Sequence, residues 1–322
     1  MARVLITQPV YAEATAELRA QGHEVVERNG PPMSAEGLAE AAAGFHAVLT
    51  VLTDQVSEGV FAANPQLSVV ANIAAGVDNI DRAAAAAHGV TVTNTPDSLT
   101  DATADLTMAL LLAVARRVPE GDRQVRDGRF SGWTLQQEPM GTDVTGARLG
   151  IIGFGKIGRA VARRAQHGFG MSIATLARDG REPQAQGLEV STVGLDELLA
   201  GCDVISLHCP LTTETRHLID AHALARMPAH ALLLNTGRGP LVDERALAEA
   251  LRDGIIAGAG LDVYEHEPDV DPLLLQQRER VVLLPHVGSA TERTRRDICA
   301  VAARNAAEAL AGKTPPDLVA AG

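Results

Sequence analysis

Aromatic side chains are scarce in this 322-residue chain, at 2% of all residues, so its interior must be built from Ala, Val, Leu and Ile. That scarcity makes the single tryptophan, Trp133, stand out. Cysteine is nearly missing as well, with only Cys202, Cys209 and Cys299. An odd number at that spacing fits neither a zinc site nor a redox CxxC pair, and no metal centre is expected. Small buried thiols in a reducing compartment are the simpler reading. Positive charge is also short. A formal net charge of -12 leaves no field to attract phosphate backbones or anionic membranes, which argues against nucleic acid as a partner. A small anionic substrate stays possible if a few arginines gather in one place. Long apolar runs are absent too: "MALLLAVA" stops at Arg116 and Arg117, far short of a membrane span. Met1 leads straight into "RVLIT" without the pattern of a signal peptide. The expectation is a cytoplasmic protein with no membrane partner.

What the chain does have is apolar material, 46% of residues, and length enough for two domains. In the first hundred residues "RVLIT", "EVVE", "HAVLTV", "LSVVAN" and "VTVTN" read as strands. Between them "AEATAELRAQG", "SAEGLAEAAAG" and "DRAAAAAHG" read as helices, the last two closing at Gly44 and Gly89. Strands alternating with helices predict a parallel sheet covered on both faces. A long helix then follows, capped by Thr100 or Asp101 and apolar as far as Val118, with a break or bend at Pro119. A second alternating series begins at "GARLGIIGFGKIG" and continues through "CDVISLHCP", "HALLLNTG", "IIAGAGLDV" and "RVVLLPH". An amphipathic stretch from Thr291 to about Leu310 comes last. The fold class is α/β, with two doubly wound parallel-sheet units, one inserted into the other.

"GIIGFGKIG" places Gly153, Gly155 and Gly158 at G-x-G-x-x-G spacing between an apolar strand and a helix. The first glycine permits the tight turn, the second lets backbone approach a pyrophosphate, and the third lets helix and strand pack closely. The stretch Gly153, Phe154, Gly155, Lys156, Ile157 and Gly158 is therefore the expected cofactor turn. The end of the next strand decides the nucleotide. Counting along "MSIATLARDGRE" puts the usual ribose-binding acid at Ala177, leaving Arg178 and Arg181 to pair with a 2′-phosphate. NADP(H) is favoured on that count. A shift of two residues would make Asp179 the ribose acid and NAD(H) the cofactor.

Three later segments each put a polar group just after a strand, where open α/β sheets bind ligands. They are "LLLNTGRG" with Arg238, "GAGLDVYEHEP" with Asp262 and Glu267, and "VVLLPHVGSAT" with His286. Singly, each has a plain explanation: a surface arginine, a turn glutamate before Pro268, a satisfied histidine at a domain edge. In this order, downstream of the glycine turn, they point to one site.

"TNTPDSLTDATAD", "GIIGFGKIG", "SLHCPLTTETRHLI", "LLLNTGRGPLVDE", "GLDVYEHEP" and "LLPHVGSAT" run in this order over nearly the whole chain. On these motifs the sequence resembles the D-isomer-specific 2-hydroxyacid dehydrogenases, and within them the glyoxylate/hydroxypyruvate reductase branch. The resemblance implies a Rossmann dinucleotide-binding domain at residues 99–287, inserted into a flavodoxin-like substrate domain made of 1–98 and 288–322. It implies that Arg238 binds the substrate carboxylate, that His286 protonates the keto oxygen as hydride arrives, and that Glu267 orients His286 and favours its charged form. Asp262 is expected at the nicotinamide carboxamide, and Thr103, Cys209 and Pro210 at the cofactor. Backbone amides around Ala75, Gly76 and Val77 would hold the substrate carboxylate, with Leu52 shaping specificity. Trp133 falls in the segment that forms a dimer arm in this family. There it would be an interface aromatic or a group reaching the neighbouring subunit's site, and a homodimer is implied either way.

The implied reaction interconverts a small 2-keto acid, glyoxylate or hydroxypyruvate first, and its 2-hydroxy acid. A larger acid such as 2-ketogluconate is the alternative within the family. Formate dehydrogenases share the fold but usually carry Gln where this chain has Glu267. A nucleotide-sensing corepressor is the alternative of another class.

Overall fold

The structure is a computed structural model that describes residues 1–176 and 187–320. The chain divides into two compact units, Met1–Leu99 with Ser289–Gly322, and Thr100–Gly288. Each crossing falls one residue beyond the position read from sequence.

The first unit holds β1 (Arg3–Ile6), β2 (Glu24–Glu27), β3 (Ala47–Thr50), β4 (Val69–Asn72) and β5 (Thr91–Thr93). All pair in parallel, in the order β2-β1-β3-β4-β5. That is the flavodoxin-like order, which turns back at β1 and β3. Every residue of β3 and β4 is buried, as a strand covered on both faces requires. The connecting helices start where side chains can satisfy free amides: Ser34 accepts from the Gly37 N–H, and Asp81 from the Ala84 N–H. Gly44 and Gly89, which follow two of these helices, have φ of +81° and +70°. The helix Glu292–Leu310, capped by Thr291, returns to this unit. It packs Ile298, Ala302, Ala303 and Ala306 against Val4, Ile6, Leu49 and Val69.

The second unit holds β6 (Arg148–Ile152), β7 (Ser172–Leu176), β8 (Val190–Val193), β9 (Val204–Leu207), β10 (Leu232–Asn235), β11 (Gly258–Leu261) and β12 (Val281–Leu283). They form one parallel sheet in the order β12-β11-β10-β9-β6-β7-β8. Counted from β6, this is the Rossmann order 3-2-1-4-5-6 with a seventh strand added beyond the sixth. Its strand order reverses between β6 and β9, so a ligand crevice belongs at their carboxyl ends. Strand β8 escapes a sequence reading because Ser191 and Thr192 are exposed, leaving an edge strand with no apolar run.

Two expectations need correction in the long helical stretch. The chain breaks before Pro119, not at it: the helix Thr100–Ala115 ends, Arg117 takes a left-handed φ of 52°, and a second helix runs Val118–Arg126. Pro119 sits in the first turn of that second helix, where its missing N–H costs nothing. Neither Thr100 nor Asp101 caps the first helix. Helix already includes Thr100, whose hydroxyl has no hydrogen-bond partner, while Asp101 pairs with Arg164 at 3.0 Å. Only the first helix is a core element; the second buries no residue.

Cys202 and Cys299 are buried, and burial pushes the Cys202 thiol up to about 11, so it stays protonated at neutral pH. Among the described residues no helix is long and apolar enough to cross a membrane. None of their His, Cys, Asp and Glu side chains form a group of three or more able to hold a metal ion.

Candidate active site

The glycine turn leaves the end of β6. Gly153 has a φ of +100°, and a Cβ there would lie 2.3 Å from the Cys209 nitrogen. The 208–209 backbone therefore crosses directly over the turn, which only glycine allows. A Cβ on Gly158 would lie 2.2 Å from the Gly153 carbonyl oxygen, so this third glycine sets the contact between helix and strand. Gly155 differs: nothing lies within 4 Å of its Cβ position. It is the N-cap of the helix Lys156–Phe169, and no side chain caps that helix start. Open space, a glycine backbone and a helix N-terminus together make a place for a pyrophosphate. Phe154 and Ile157 pack onto the core, while Gly155 and Lys156 are exposed. Pro210 is exposed beside half-buried Cys209.

Arg238 follows β10. Asn235, buried at the end of that strand, donates to the Arg238 carbonyl at 2.8 Å and accepts the Gly237 N–H at 3.0 Å. The loop is thereby closed on itself, with the guanidinium donating to the Gly237 carbonyl at 2.9 Å. A Cβ on Gly239 would meet the Tyr264 carbonyl oxygen at 1.7 Å. The arginine loop thus lies directly on the segment after β11, and that contact admits no side chain.

That segment carries Asp262, Tyr264 and Glu267. Glu267 Oε2 is 2.8 Å from His286 Nδ1, and its Oε1 accepts the Tyr264 N–H at 3.1 Å. Burial alone would raise the Glu267 carboxyl. The His286 hydrogen bond and charge, the Tyr264 amide and the Arg238 guanidinium outweigh it and hold the group below its ordinary value. Glu267 is thus a carboxylate at neutral pH. Facing it, His286 Nδ1 must carry a proton, which leaves Nε2 as the nitrogen able to exchange one.

The histidine is held from behind as well. Its backbone has a left-handed φ of 53°. Asp262, 1% exposed, accepts the next two amides, Val287 N–H and Gly288 N–H, each at 2.7 Å. Burial raises the Asp262 carboxyl against the pull of those amides and of His286. Both Asp262 oxygens are therefore engaged in shaping the His286 turn, a role its place in the sequence does not reveal. Thr103 is buried and donates to the Gly288 carbonyl at 3.3 Å, so it braces the same turn. Tyr264 Oη donates to the Leu284 carbonyl at 2.9 Å. Buried Glu244 accepts the N–H groups of Glu265 and Asp271, closing the loop that bears Glu267. Asn235, Tyr264 and Glu244 are the supporting residues that motif reading missed; the only signal was their place inside the motifs that carry Arg238 and Glu267.

In the first unit, Leu52 lies just after β3, in a turn held by Asp54, which accepts the Val51 N–H at 2.8 Å. Ala75, Gly76 and Val77 are half-buried in the loop after β4. Trp133 is 76% exposed. Arg178, with Ala177, Asp179 and Arg181, lies outside the described residues.

A Rossmann sheet with a glycine turn, an arginine loop and an oriented Glu–His pair defines a nicotinamide-dependent oxidoreductase. Residues 108–288 match the family model of the D-isomer specific 2-hydroxyacid dehydrogenase NAD binding domain. Over 322 residues the chain is 44% identical to a glyoxylate reductase of Korarchaeum cryptofilum, covering 98% of this chain and 95% of the relative. A crystal structure of a Thermus thermophilus protein superposes with a TM-score of 0.91 at 42% identity, covering 99% of this chain and all of that one. An NADPH-dependent glyoxylate/hydroxypyruvate reductase of Sinorhizobium meliloti, solved with NADP and malonate, gives 0.88 at 33% identity, with 99% and 97% covered. The chain belongs to the D-isomer specific 2-hydroxyacid dehydrogenase family, and its reaction is hydride transfer between a nicotinamide cofactor and a 2-keto or 2-hydroxy acid.

Proposed function

We propose that this enzyme reduces glyoxylate or hydroxypyruvate, with NADPH as the preferred donor. The observation that carries the chemistry is the 2.8 Å contact between His286 and an ionised Glu267. A nicotinamide dinucleotide held by its pyrophosphate at the glycine turn would supply the hydride to the keto carbon. His286 gives the proton from Nε2 to the keto oxygen, so the carbonyl becomes a hydroxyl and the imidazole becomes neutral. Glu267 keeps the ring in one tautomer and steadies its charge before transfer. The Arg238 fork holds the substrate carboxylate and draws charge toward the keto oxygen. Within the first unit, the amides of Ala75, Gly76 and Val77 are donors for a substrate carboxylate, and Leu52 shapes specificity.

In this reading the unit Thr100–Gly288 is the dinucleotide domain and the other unit the substrate domain. Glyoxylate is preferred over a larger acid because of the 44% identity to a glyoxylate reductase. NADPH preference rests on Arg178 in the sequence, and the Sinorhizobium relative is named as NADPH-dependent. A homodimer is supported by the exposed apolar side chains Val118, Val125, Phe130, Trp133, Leu135 and Met140, gathered in one stretch. A cytoplasmic setting suits a chain with only three cysteines, Cys202 and Cys299 of them buried thiols.

The test is the initial rate of NADPH and of NADH oxidation with glyoxylate, hydroxypyruvate and 2-ketogluconate in parallel. A clear preference for NADPH with the two small acids is expected. An NADH-only rate would overturn the role given to Arg178, and a rate confined to 2-ketogluconate would overturn the substrate.

A further inference from the structure

Within the first unit, three consecutive carbonyls of the loop after β4 are tied back. The Ala74 carbonyl accepts the Thr95 N–H at 2.8 Å. The Ala75 carbonyl accepts from Asn94 Nδ2 at 2.6 Å, and the Gly76 carbonyl from Asn72 Nδ2 at 2.9 Å. The peptide bonds here are trans, since the cis bonds of the described residues precede Pro139 and Pro268. In a trans peptide the carbonyl of one residue and the N–H of the next point in opposite directions. Fixing those carbonyls therefore turns the N–H groups of Ala75, Gly76 and Val77 the other way. Among the described residues, none of the three has an acceptor.

The two asparagines are themselves fixed. Asn72, fully buried at the end of β4, accepts the Thr50 hydroxyl at 2.9 Å, and its side chain meets that of Asn79 at 3.0 Å. Asn94 is held through its backbone: its N–H donates to the Asp317 carbonyl at 3.2 Å, and its own carbonyl accepts from Asn305 Nδ2 at 3.1 Å. Asn305 is fully buried and also donates to Asp317 Oδ2 at 3.0 Å. The C-terminal helix thus locks the residue that locks the loop.

We infer that Asn94 and Asn72 are positioning residues that set the three amides of Ala75, Gly76 and Val77 as a preorganised cradle for the substrate carboxylate. The inference deepens, and rests on, the 2-keto acid reading above. Each asparagine acts by donating to a carbonyl, so shape alone is not enough. Aspartate has the same size but offers an acceptor where a donor is needed, and would release the peptide to turn over. The cradle would then present a carbonyl to the carboxylate.

The experiment compares wild type with Asn94→Asp and Asn72→Asp, and with Asn94→Ser, whose shorter hydroxyl loses the bond without adding charge. Steady-state KM for glyoxylate and for NADPH, kcat, and binding of oxalate as a carboxylate probe are measured on each folded variant. Expected is a rise of roughly tenfold in the KM for glyoxylate and a matching loss of oxalate affinity, with the KM for NADPH within about twofold of wild type. A folded Asn94→Ser or Asn94→Asp enzyme with unchanged glyoxylate KM and oxalate affinity overturns the inference. Equal losses toward glyoxylate and NADPH also overturn it, because they report general loosening. Wild type without activity on any 2-keto acid is a separate outcome, and sinks the underlying reading instead.

Discussion

The His286 imidazole bonds to Glu267, yet it is the Asp262 carboxylate that shapes the backbone just after His286. Asp262 takes the Val287 and Gly288 amides at 2.7 Å each, immediately after His286 in its left-handed turn. A non-glycine residue at φ 53° costs of the order of 1 kcal/mol and persists only where neighbours enforce it. Two bonds donated by successive amides to a buried carboxylate are such an enforcement. Asp262→Asn keeps the shape but gives up the charge and one acceptor. Its kcat should fall about tenfold or more while the fold survives. Wild-type kcat in a folded Asp262→Asn enzyme would show that the turn holds without it.

The catalytic pair itself makes a sharper prediction. His286→Asn removes the proton donor, so turnover should drop by about 10²–10⁴-fold. NADPH affinity, read by quenching of Trp133 fluorescence or by calorimetry, should stay within about twofold of wild type. Undiminished turnover would sink the mechanism. Arg238→Lys should raise the KM for the 2-keto acid by roughly tenfold or more, because an ammonium cannot reproduce a two-pronged grip on a carboxylate.

How far a sequence reading reaches depends on whether a residue acts through its own side chain or through another residue's backbone. Arg238, Glu267 and His286 are legible because each chemistry needs that residue type just beyond a strand. The strands themselves are legible where both faces are buried, as in β3, β4, β9 and β10. Strand β8 is not, since an edge strand needs no apolar run. The helix break at Arg117 escaped for a related reason: proline marks a boundary, but whether the chain bends at it or before it depends on where the next first turn begins. Asp262, Asn94 and Asn72 work by setting peptide orientations. Nothing in their spacing shows which amide or carbonyl they will meet.

The three glycines of the cofactor turn should separate folding from binding. Gly155→Ala meets no atom in the protein, so thermal stability without cofactor should be close to wild type, while NADPH binding weakens by an order of magnitude or more. Gly153→Ala and Gly158→Ala would each place a Cβ well inside contact distance of backbone. Both should lower Tm before any cofactor is added, Gly153→Ala the more because of its positive φ. Scanning calorimetry with and without NADPH distinguishes the cases. A large Tm loss in apo Gly155→Ala would mean that its open space is not a ligand site.

His208 is expected to make the stability of this enzyme depend on pH. Its Nε2 meets the Ser206 hydroxyl at 2.8 Å, while Nδ1 is enclosed without a partner. Burial pushes the imidazole down to about 4, from 6.5 when the chain is unfolded. Between those two values the unfolded chain binds the proton and the folded one does not, so unfolding is favoured as pH falls. The stability of the neutral form, with its Nδ1 enclosed, is fully present above pH 6.5 and drains away toward about pH 4. His208→Gln keeps a polar group near Ser206 but cannot titrate. It should cost some stability at pH 7.5, yet lose less than wild type when the pH is lowered to 4.5. Urea midpoints at the two pH values measure the difference. Parallel losses in the two proteins would show that other groups carry the acid sensitivity and that His208 is already solvated in the folded state.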